Sequence, residues 1–271
     1  MDRFDKICKD IKEVRIQGAR NIARAALQAY SIKHTLKSKK ILLGLRPTEP
    51  MLVNVLDLAD KYPEKNLLKH FDEAQDKINK SVFKIIKNNS RIFTHCHSTN
   101  VINALVYAKK HGKHFEVFNT ETRPLFQGHK TAKELAKSGI KVTMVADNAA
   151  GDILEKGGTI KKADLMLIGA DALLNSGDII NKIGSNMFAE IAHYNKIPVY
   201  VIADSWKFSK RNVKIEERAH EEIWKYAPKH IKIQNPSFET VKSRYITAIV
   251  SELGILKPKD FAKKARKKRM K

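Results

Sequence analysis

The chain has 271 residues, of which 42% are hydrophobic and 30% charged, and its formal net charge is +23. This apolar fraction excludes a wholly disordered chain, and the two cysteines, Cys8 and Cys96, exclude a disulfide-stapled scaffold. The first residues do not resemble a signal peptide, and every apolar run is far shorter than the roughly 18 residues of a membrane span. We therefore expect a cytoplasmic protein with no membrane contact.

Positive charge is concentrated at the C-terminal end. Residues 257–271 carry nine Lys or Arg residues and one acid, Asp260, for a net +8, which leaves +15 for residues 1–256. The composition predicts a frayed basic tail, either simply solvated or in nonspecific contact with RNA. The basic body fits a phosphorylated small molecule or nucleic acid, and charge alone does not separate the two.

Residues 1–90 predict a helical N-terminal domain. Apolar residues recur there at helical spacing in four stretches, and Asn88-Asn89-Ser90 breaks the pattern. The predicted helices cover residues 4–14, 21–34, 48–58 and 67–86.

From Arg91 the pattern changes to short apolar runs that alternate with amphipathic segments. This alternation predicts an α/β fold, with a Rossmann-like domain over residues 91–256 built on a mainly parallel sheet. The predicted strands are Ile92–Thr94, Phe115–Phe118, Val142–Val145, Leu165–Ile168 and Val199–Ala203. The predicted helices are Thr99–Lys110, Thr131–Ser138 and Ser185–Tyr194, and a shorter strand and a final helix at about Ser243–Glu252 close the domain.

Reactive side chains follow the predicted strands. Ligands of open parallel sheets bind beyond the carboxyl ends of the strands, so these residues are expected at one edge. One thiol, one guanidinium and three carboxylates collect there: Cys96, Arg123, Asp147, Asp171 and Asp204. The set indicates an active site.

Two of these residues have alternative interpretations. Cys96 is either a small buried hydrophobe or a reactive group, because backbone N–H groups near the start of the next helix favour a thiolate or an anionic ligand. Asp171 is either a cap or a general acid/base. A zinc site is disfavoured because the side chains of His95, Cys96 and His97 diverge. The segment Asn181–Ser185 resembles a phosphate cradle before a helix.

Several separated motifs occur together in one order and spacing. They are IQGARNIA (16–23), LRPT (45–48), THCHS (94–98), ETRP with QG (121–128), GAD (169–171), INKIGS (180–185), the KF of DSWKFS (204–209) and EER (216–218). Over most of residues 15–256 the chain resembles the family that joins ribose-1,5-bisphosphate isomerase, methylthioribose-1-phosphate isomerase and the regulatory subunits of translation initiation factor 2B.

The resemblance implies a helical domain packed on a Rossmann-like domain, assembled as a homo-oligomer (dimer or hexamer), with no cofactor and no metal. Cys96 and Asp171 match the catalytic pair of the isomerases. Gln17 stands where these isomerases usually have arginine, Arg20 is a candidate replacement, and Thr99 replaces an expected lysine. The residues assigned to substrate contact are Gln17, Gly18, Ala19, Arg20, Arg46, Ser98, Arg123, Gln127, Asn181, Lys182 and Lys207.

Within the family, the retained Cys96 and Asp171 favour an enzyme over a subunit that makes only protein contacts. We expect conversion of ribose 1,5-bisphosphate to ribulose 1,5-bisphosphate in AMP degradation, with a nucleotide as a candidate activator. The alternatives are a non-catalytic subunit like those of initiation factor 2B, which Gln17 and the basic tail favour, and a methylthioribose-1-phosphate isomerase.

Overall fold

A computed structural model of the chain describes residues 1–13, 15–16, 18–46, 49–155, 158–215 and 217–268. Its helices are α1 (Arg3–Lys12), α2 (Ala19–Ile32), α3 (Leu36–Leu45), α4 (Pro50–Ala59), α5 (Glu64–Ile85), α6 (Thr99–Lys110), α7 (Gln127–Lys137), α8 (Ala150–Leu154), α9 (Ser185–Tyr194) and α10 (Pro258–Lys268). Its strands are β1 (Ser90–Thr94), β2 (Phe115–Thr120), β3 (Lys141–Val145), β4 (Leu165–Ile168), β5 (Ala172–Leu174), β6 (Ile179–Lys182), β7 (Val199–Ile202), β8 (Phe208–Ser209), β9 (Phe238–Val241), β10 (Ala248–Ser251) and β11 (Gly254–Leu256).

The main sheet has seven strands in the order β11-β10-β7-β4-β1-β2-β3. All neighbours pair in parallel except β11, which runs antiparallel to β10 at one edge. Its central strands are almost continuously apolar because helices cover both faces. The predicted α/β fold with a mainly parallel sheet is confirmed.

A second, four-stranded sheet has the order β8-β5-β6-β9. It begins directly after β4, and the N–H of Asp171 donates to the carbonyl of Ile180 at 2.8 Å. This small sheet, which has no counterpart in the sequence-based prediction, carries Asn181 and Lys182 on β6 to the carboxyl edge of the main sheet.

Two apolar layers hold the main sheet. One face packs against α8, α9 and α10, and the other packs against α5, α6 and α7. The C-terminal half of α5 therefore lies in the same layer as the helices of the sheet, with Ile78 and Val82 fully buried. The domain boundary at residue 90 stays a prediction.

The N-terminal helices form two further apolar clusters. Helix α3, which the sequence pattern did not predict, begins at a Thr35 cap whose hydroxyl accepts from the N–H of Ser38 at 3.1 Å. Asn54 of α4 donates through Nδ2 to the carbonyls of Trp206 and Phe208 at 2.6 and 3.0 Å, which ties these helices to the loop after β7.

Two expectations for the C-terminal part are wrong. Residues 248–251, predicted within a closing helix, form strand β10, because a short buried apolar run such as Ala-Ile-Val fits either structure and only its neighbours decide. The predicted frayed tail is a helix over Pro258–Lys268, and Phe261, Ala262 and Ala265 are buried against the sheet. Within the described ranges, no helix is both long and apolar enough to cross a bilayer.

Candidate active site

A cleft opens at the carboxyl ends of β1, β4 and β6 and is closed on one side by the N-terminal helices. The predicted site residues that line it are Gly18, Ala19, Arg20, Arg46, Cys96, Ser98, Gln127, Asp171, Asn181, Lys182 and Lys207. The topology therefore brings together residues separated by up to 189 positions (Gly18 to Lys207). This convergence is expected of a ligand site in an open α/β sheet.

Cys96 lies just past β1 in an unusual backbone conformation. Its φ is +65°, in the left-handed region that non-glycine residues seldom adopt. Two threonines hold it there: Cys96 N–H donates to Thr122 Oγ1 at 3.1 Å, and Thr131 Oγ1 donates to the Cys96 carbonyl at 2.8 Å. The fold thus fixes the thiol at the floor of the cleft.

The thiol is protonated at neutral pH. Burial is the main cause that raises the pKa of Cys96 to about 11. The positive charge of Lys182 opposes it, and the negative charge of Asp171 adds to it. At this site desolvation outweighs the positive charge and the backbone N–H groups that would favour a thiolate. The negative charge of Asp171, which also lines the cleft, is therefore near enough to act on the thiol.

Two buried lysines flank Asp171. Lys182 is 5% exposed, with its ammonium 5.2 Å from the centre of the Phe238 ring. Lys207 is also 5% exposed and donates to the carbonyl of Ala170 at 2.5 Å. Two ammonium groups held this far from water are positioned to bind an anion in the cleft.

His95 connects Cys96 to the far wall of the cleft. Its Nε2 lies 2.9 Å from the Ile183 carbonyl, so Nε2 carries the hydrogen, and Nδ1 accepts from Thr120 Oγ1 at 2.6 Å. Burial lowers the pKa of His95 to about 4, which keeps the ring neutral. Burial and Lys130 lower the pKa of His97 to about 4 as well. Neither ring adds positive charge at neutral pH.

Helix N-termini supply further positive potential. Gly18 precedes α2 at a φ of +84°, and Ser98 caps α6, with its Oγ 3.5 Å from the Val101 nitrogen. Both residues line the cleft, as does Gln127, the first residue of α7. Backbone N–H groups at such ends bind phosphates and carboxylates.

Two polar atoms in the cleft wall lack a partner among the described residues. Gln127 Oε1 and Ser237 Oγ are buried and accept or donate no hydrogen bond within that part of the chain. Because an unpaired buried polar group costs about 1–3 kcal/mol, such atoms indicate a polar ligand that pairs with them.

Two predicted arginines make contacts outside the cleft, and a third predicted residue lies outside the described part of the chain. Arg123 is exposed, lies over the Phe126 ring at 4.9 Å and is not among the residues that line the cleft. Arg20 reaches the cleft edge, but its guanidinium binds Asp72 at 2.7 Å and Gln75 at 3.3 Å on α5. Gln17 lies outside the described residues, so the proposed exchange of roles between Gln17 and Arg20 stays a prediction.

The three strand-end carboxylates have different surroundings. Asp171 lines the cleft, whereas Asp147 accepts from the backbone N–H groups of Thr122 and Arg123 at 2.8 and 2.6 Å. Asp204 accepts from the Trp206 N–H at 2.8 Å and lies 3.2 Å from His70 Nε2. Asp147 and Asp204 therefore support loops rather than face the cleft.

Sequence reasoning missed several residues of the cleft. Arg218, from the EER motif, binds Glu222 through Nε at 2.9 Å, and the motif itself was the available signal. Ser237 and Phe238 follow a long stretch without regular periodicity, so no local pattern marks them. The other missed lining residues are Glu49, His95, His97, Thr99, Asn100, Leu125, Gly169 and Ala170.

A separate group of potential metal ligands lies outside the cleft lining. In the described part of the chain, His70, Asp204 and Glu252 are the one set of three whose ligand atoms approach within 4.8 Å. The Glu252 carboxylate already accepts from the backbone N–H of Ser205 at 3.0 Å and from its hydroxyl, and lies 3.3 Å from Lys268 Nζ. These bonds give the group a structural role in joining α5, β7 and α10.

The chain matches a known protein family over most of its length. Residues 61–258 match the model of the Initiation factor 2 subunit family. Ribose 1,5-bisphosphate isomerase of Methanocaldococcus jannaschii is 34% identical over 95% of this chain and 92% of its own length. Methylthioribose-1-phosphate isomerase of Fervidobacterium nodosum is 31% identical over 94% and 86%.

A solved structure shares the whole fold. The crystal structure of translation initiation factor eIF-2B from Pyrococcus horikoshii OT3 superimposes with a TM-score of 0.82 and 26% identity, covering 95% of this chain and 98% of that one. The family match spans most of the chain, and the curated relatives match it almost end to end. The chain therefore belongs to the Initiation factor 2 subunit family.

Proposed function

We propose that this chain converts ribose 1,5-bisphosphate to ribulose 1,5-bisphosphate, a step in AMP degradation, with Cys96 and Asp171 as the proton-transferring pair. The chain is an isomerase, since relatives named as isomerases are 30–34% identical to it over 93–95% of its length. One observation carries the proposal of the pair: Cys96 and Asp171 line the same cleft as the buried Lys182 and Lys207, and the charge of Asp171 raises the pKa of the thiol.

The proposed reaction needs one proton donor and one proton acceptor. As the bond between C1 and the ring oxygen breaks, the ring oxygen takes up a proton. The hydrogen on C2 moves to C1 with its electron pair, and the C2 hydroxyl loses its proton to become the ketone. The C1 phosphate stays in place, and no net proton is consumed.

The surroundings of the pair support one division of roles. The Cys96 thiol is protonated at neutral pH, with a pKa of about 11, and can donate to the ring oxygen. Asp171 can accept the proton of the C2 hydroxyl, and its transfer back to the thiolate restores the starting state. The charge of Lys182 stabilises the thiolate in the interval.

A substrate with two phosphates fits the positive charge of the cleft. Lys182 and Lys207 line it together with the N-termini of α2 and α6, whereas the lining cations Arg46 and Arg218 already contact Glu49 and Glu222. Methylthioribose 1-phosphate carries one phosphate and an apolar thioether, and would leave part of this charge unpaired. This difference favours the bisphosphate.

The test is turnover of each sugar phosphate by the purified chain, with and without added AMP. We expect a kcat/KM for ribose 1,5-bisphosphate at least about tenfold above that for methylthioribose 1-phosphate, because loss of one buried charged contact costs more than 1.4 kcal/mol. The reverse preference would contradict the proposed substrate. No turnover of either would favour the non-catalytic role suggested by the likeness to the eIF-2B structure.

The proposal includes a homo-oligomer, a dimer or hexamer, in the cytoplasm. Light scattering on the purified protein tests the assembly, and a monomeric mass would contradict it.

A further inference from the structure

Helix α10 carries a basic surface that the proposed isomerisation does not use. The family match ends at residue 258, so only the first residue of α10, Pro258, falls within it. One face is committed to the core, because Phe261 is fully buried and Ala262 and Ala265 are at most 3% exposed. The helix is therefore held in place by the core, and its exposed faces carry almost only lysine and arginine.

Three lysines form a row along α10, called here the lysine row. Lys259, Lys263 and Lys267 are exposed and lie four residues apart, so their attachment points are spaced by about 6 Å along the helix. In the described part of the chain they contact no carboxylate, unlike Lys39, which binds Asp57 and Asp60. The row thus keeps its full positive charge for an external partner.

A shallow groove runs beside the row. Its other wall is the turn between β5 and β6, which contributes Asn175 and Ser176. That turn is packed directly on the helix start, since a Cβ on Gly177 would lie 3.1 Å from Pro258 Cβ. Asn175 also accepts from Arg266, which holds a fourth cation at the groove edge. Cationic side chains on one wall and polar side chains on the other therefore line this groove.

We propose that this groove, formed by the α10 lysine row and the turn at residues 175–176, binds the phosphodiester backbone of single-stranded RNA. Regularly spaced cations beside hydrogen-bonding side chains match a chain of phosphates and give no sequence preference. An anionic membrane fits less well, because Phe261, the large apolar side chain of this helix, is buried and cannot anchor it in lipid.

The test compares two triple variants of equal charge change in the full chain. K259Q/K263Q/K267Q removes the row, and K65Q/K77Q/K84Q removes three exposed lysines of α5 as the matched control. Binding of fluorescent oligouridylate is measured by polarisation over a range of salt concentrations. Circular dichroism and the thermal midpoint establish that both variants fold.

We expect the α10 variant to bind oligouridylate at least about tenfold more weakly. The slope of log affinity against log salt should become shallower by about 2, because each of the three lost phosphate contacts contributes roughly 0.7 to it. The control should keep the wild-type slope. Unchanged binding by the α10 variant, or an equal loss in both variants, would overturn the proposal. Binding of the wild type to phosphatidylserine vesicles but not to oligouridylate would overturn it as well.

Discussion

At the residue scale, the chemistry of the cleft depends on how Cys96 is charged. Burial is the largest effect that raises its pKa, and the Asp171 and Asp147 carboxylates add to it. The Lys182 ammonium and a hydrogen bond from the His97 backbone N–H lower it. A thiol with a pKa of about 11 is a poor nucleophile at neutral pH but remains available as a proton donor.

Alkylation of Cys96 measures this balance directly. In a Cys8→Ser background, the rate of iodoacetamide modification should stay low through pH 9, where an ordinary thiol is half ionised, and rise only as pH approaches 11. Asp171→Asn removes a negative charge that disfavours the thiolate. The pKa of Cys96 therefore falls, and its modification at pH 8 becomes at least severalfold faster. Lys182→Gln should slow it.

Fast modification of Cys96 at pH 8 in the wild type would contradict a raised pKa of this thiol. Equal rates in the wild type and Asp171→Asn would also show that the carboxylate does not act on the thiol. Mass spectrometry of the Cys96 peptide supplies the readout.

The proposed pair could be named from the chain, but the charge state of its thiol could not. Cys96 and Asp171 follow strands whose apolar runs are clear, and the motifs around them carry the family resemblance. The pKa of the thiol depends on burial in a cleft whose lining comes from distant parts of the chain, among them Gly18, Arg46 and Asn181. The residues next to Cys96 in the sequence do not indicate these distant contacts.

At the element scale, the cleft depends on close contact between the start of α6 and the end of β4. A Cβ added at Gly169 would lie 2.5 Å from Ser98 Oγ and 2.6 Å from Ser98 Cβ. Contacts this short force one element to move. Glycine at this position therefore lets Ser98 and Asp171 approach the same ligand.

Gly169→Ala should displace Ser98 and lower kcat/KM by about 10- to 100-fold, because a misplacement near 1 Å is that costly in an active site. The unfolding free energy should fall by about 1–3 kcal/mol. Gly44→Ala in α3 is the control: its Cβ meets nothing within 4 Å, so stability should rise by about 0.5–1 kcal/mol with turnover retained. Urea unfolding and turnover measure both, and full activity in Gly169→Ala would refute this account.

Elements with strong periodicity were predictable, and those decided by their neighbours were not. The predicted strand Leu165–Ile168 and helix Ser185–Tyr194 coincide with β4 and α9. The strand β10 was misassigned because Ala248–Ser251 is too short to show a period, and it becomes a strand by pairing with β7. The two-residue strand β8 likewise exists only through its partner β5.

At the scale of the whole molecule, contacts distant in sequence join the N-terminal helices, the sheet and α10. Asn54 binds the loop after β7, and Phe261 of α10 packs edge-on against Phe208 with ring centres 6.4 Å apart. Composition alone predicted a frayed tail, because the many lysines and arginines of residues 257–271 indicate a solvated segment. The buried Phe261, Ala262 and Ala265 recur at helical spacing and decide the outcome.

Truncation of Phe261 tests whether α10 is part of the core. Phe261→Ala should lower the unfolding free energy by about 3–5 kcal/mol, as expected for a fully buried aromatic ring. Lys264→Ala, at an exposed position of the same helix, should change it by less than about 1 kcal/mol. Urea unfolding measures both, and an unchanged free energy in Phe261→Ala would mean that the tail is frayed after all.

The central claim is that one cleft uses Cys96 and Asp171 to isomerise a sugar bisphosphate. Its most direct test is formation of ribulose 1,5-bisphosphate from ribose 1,5-bisphosphate by the wild type, Cys96→Ser, Asp171→Asn and the control Cys8→Ser. We predict turnover by the wild type and Cys8→Ser, and a loss of about 10²–10⁴-fold in kcat in each of the other two, since each lacks one partner in proton transfer. Turnover within a fewfold of the wild type in either Cys96→Ser or Asp171→Asn would contradict the claim.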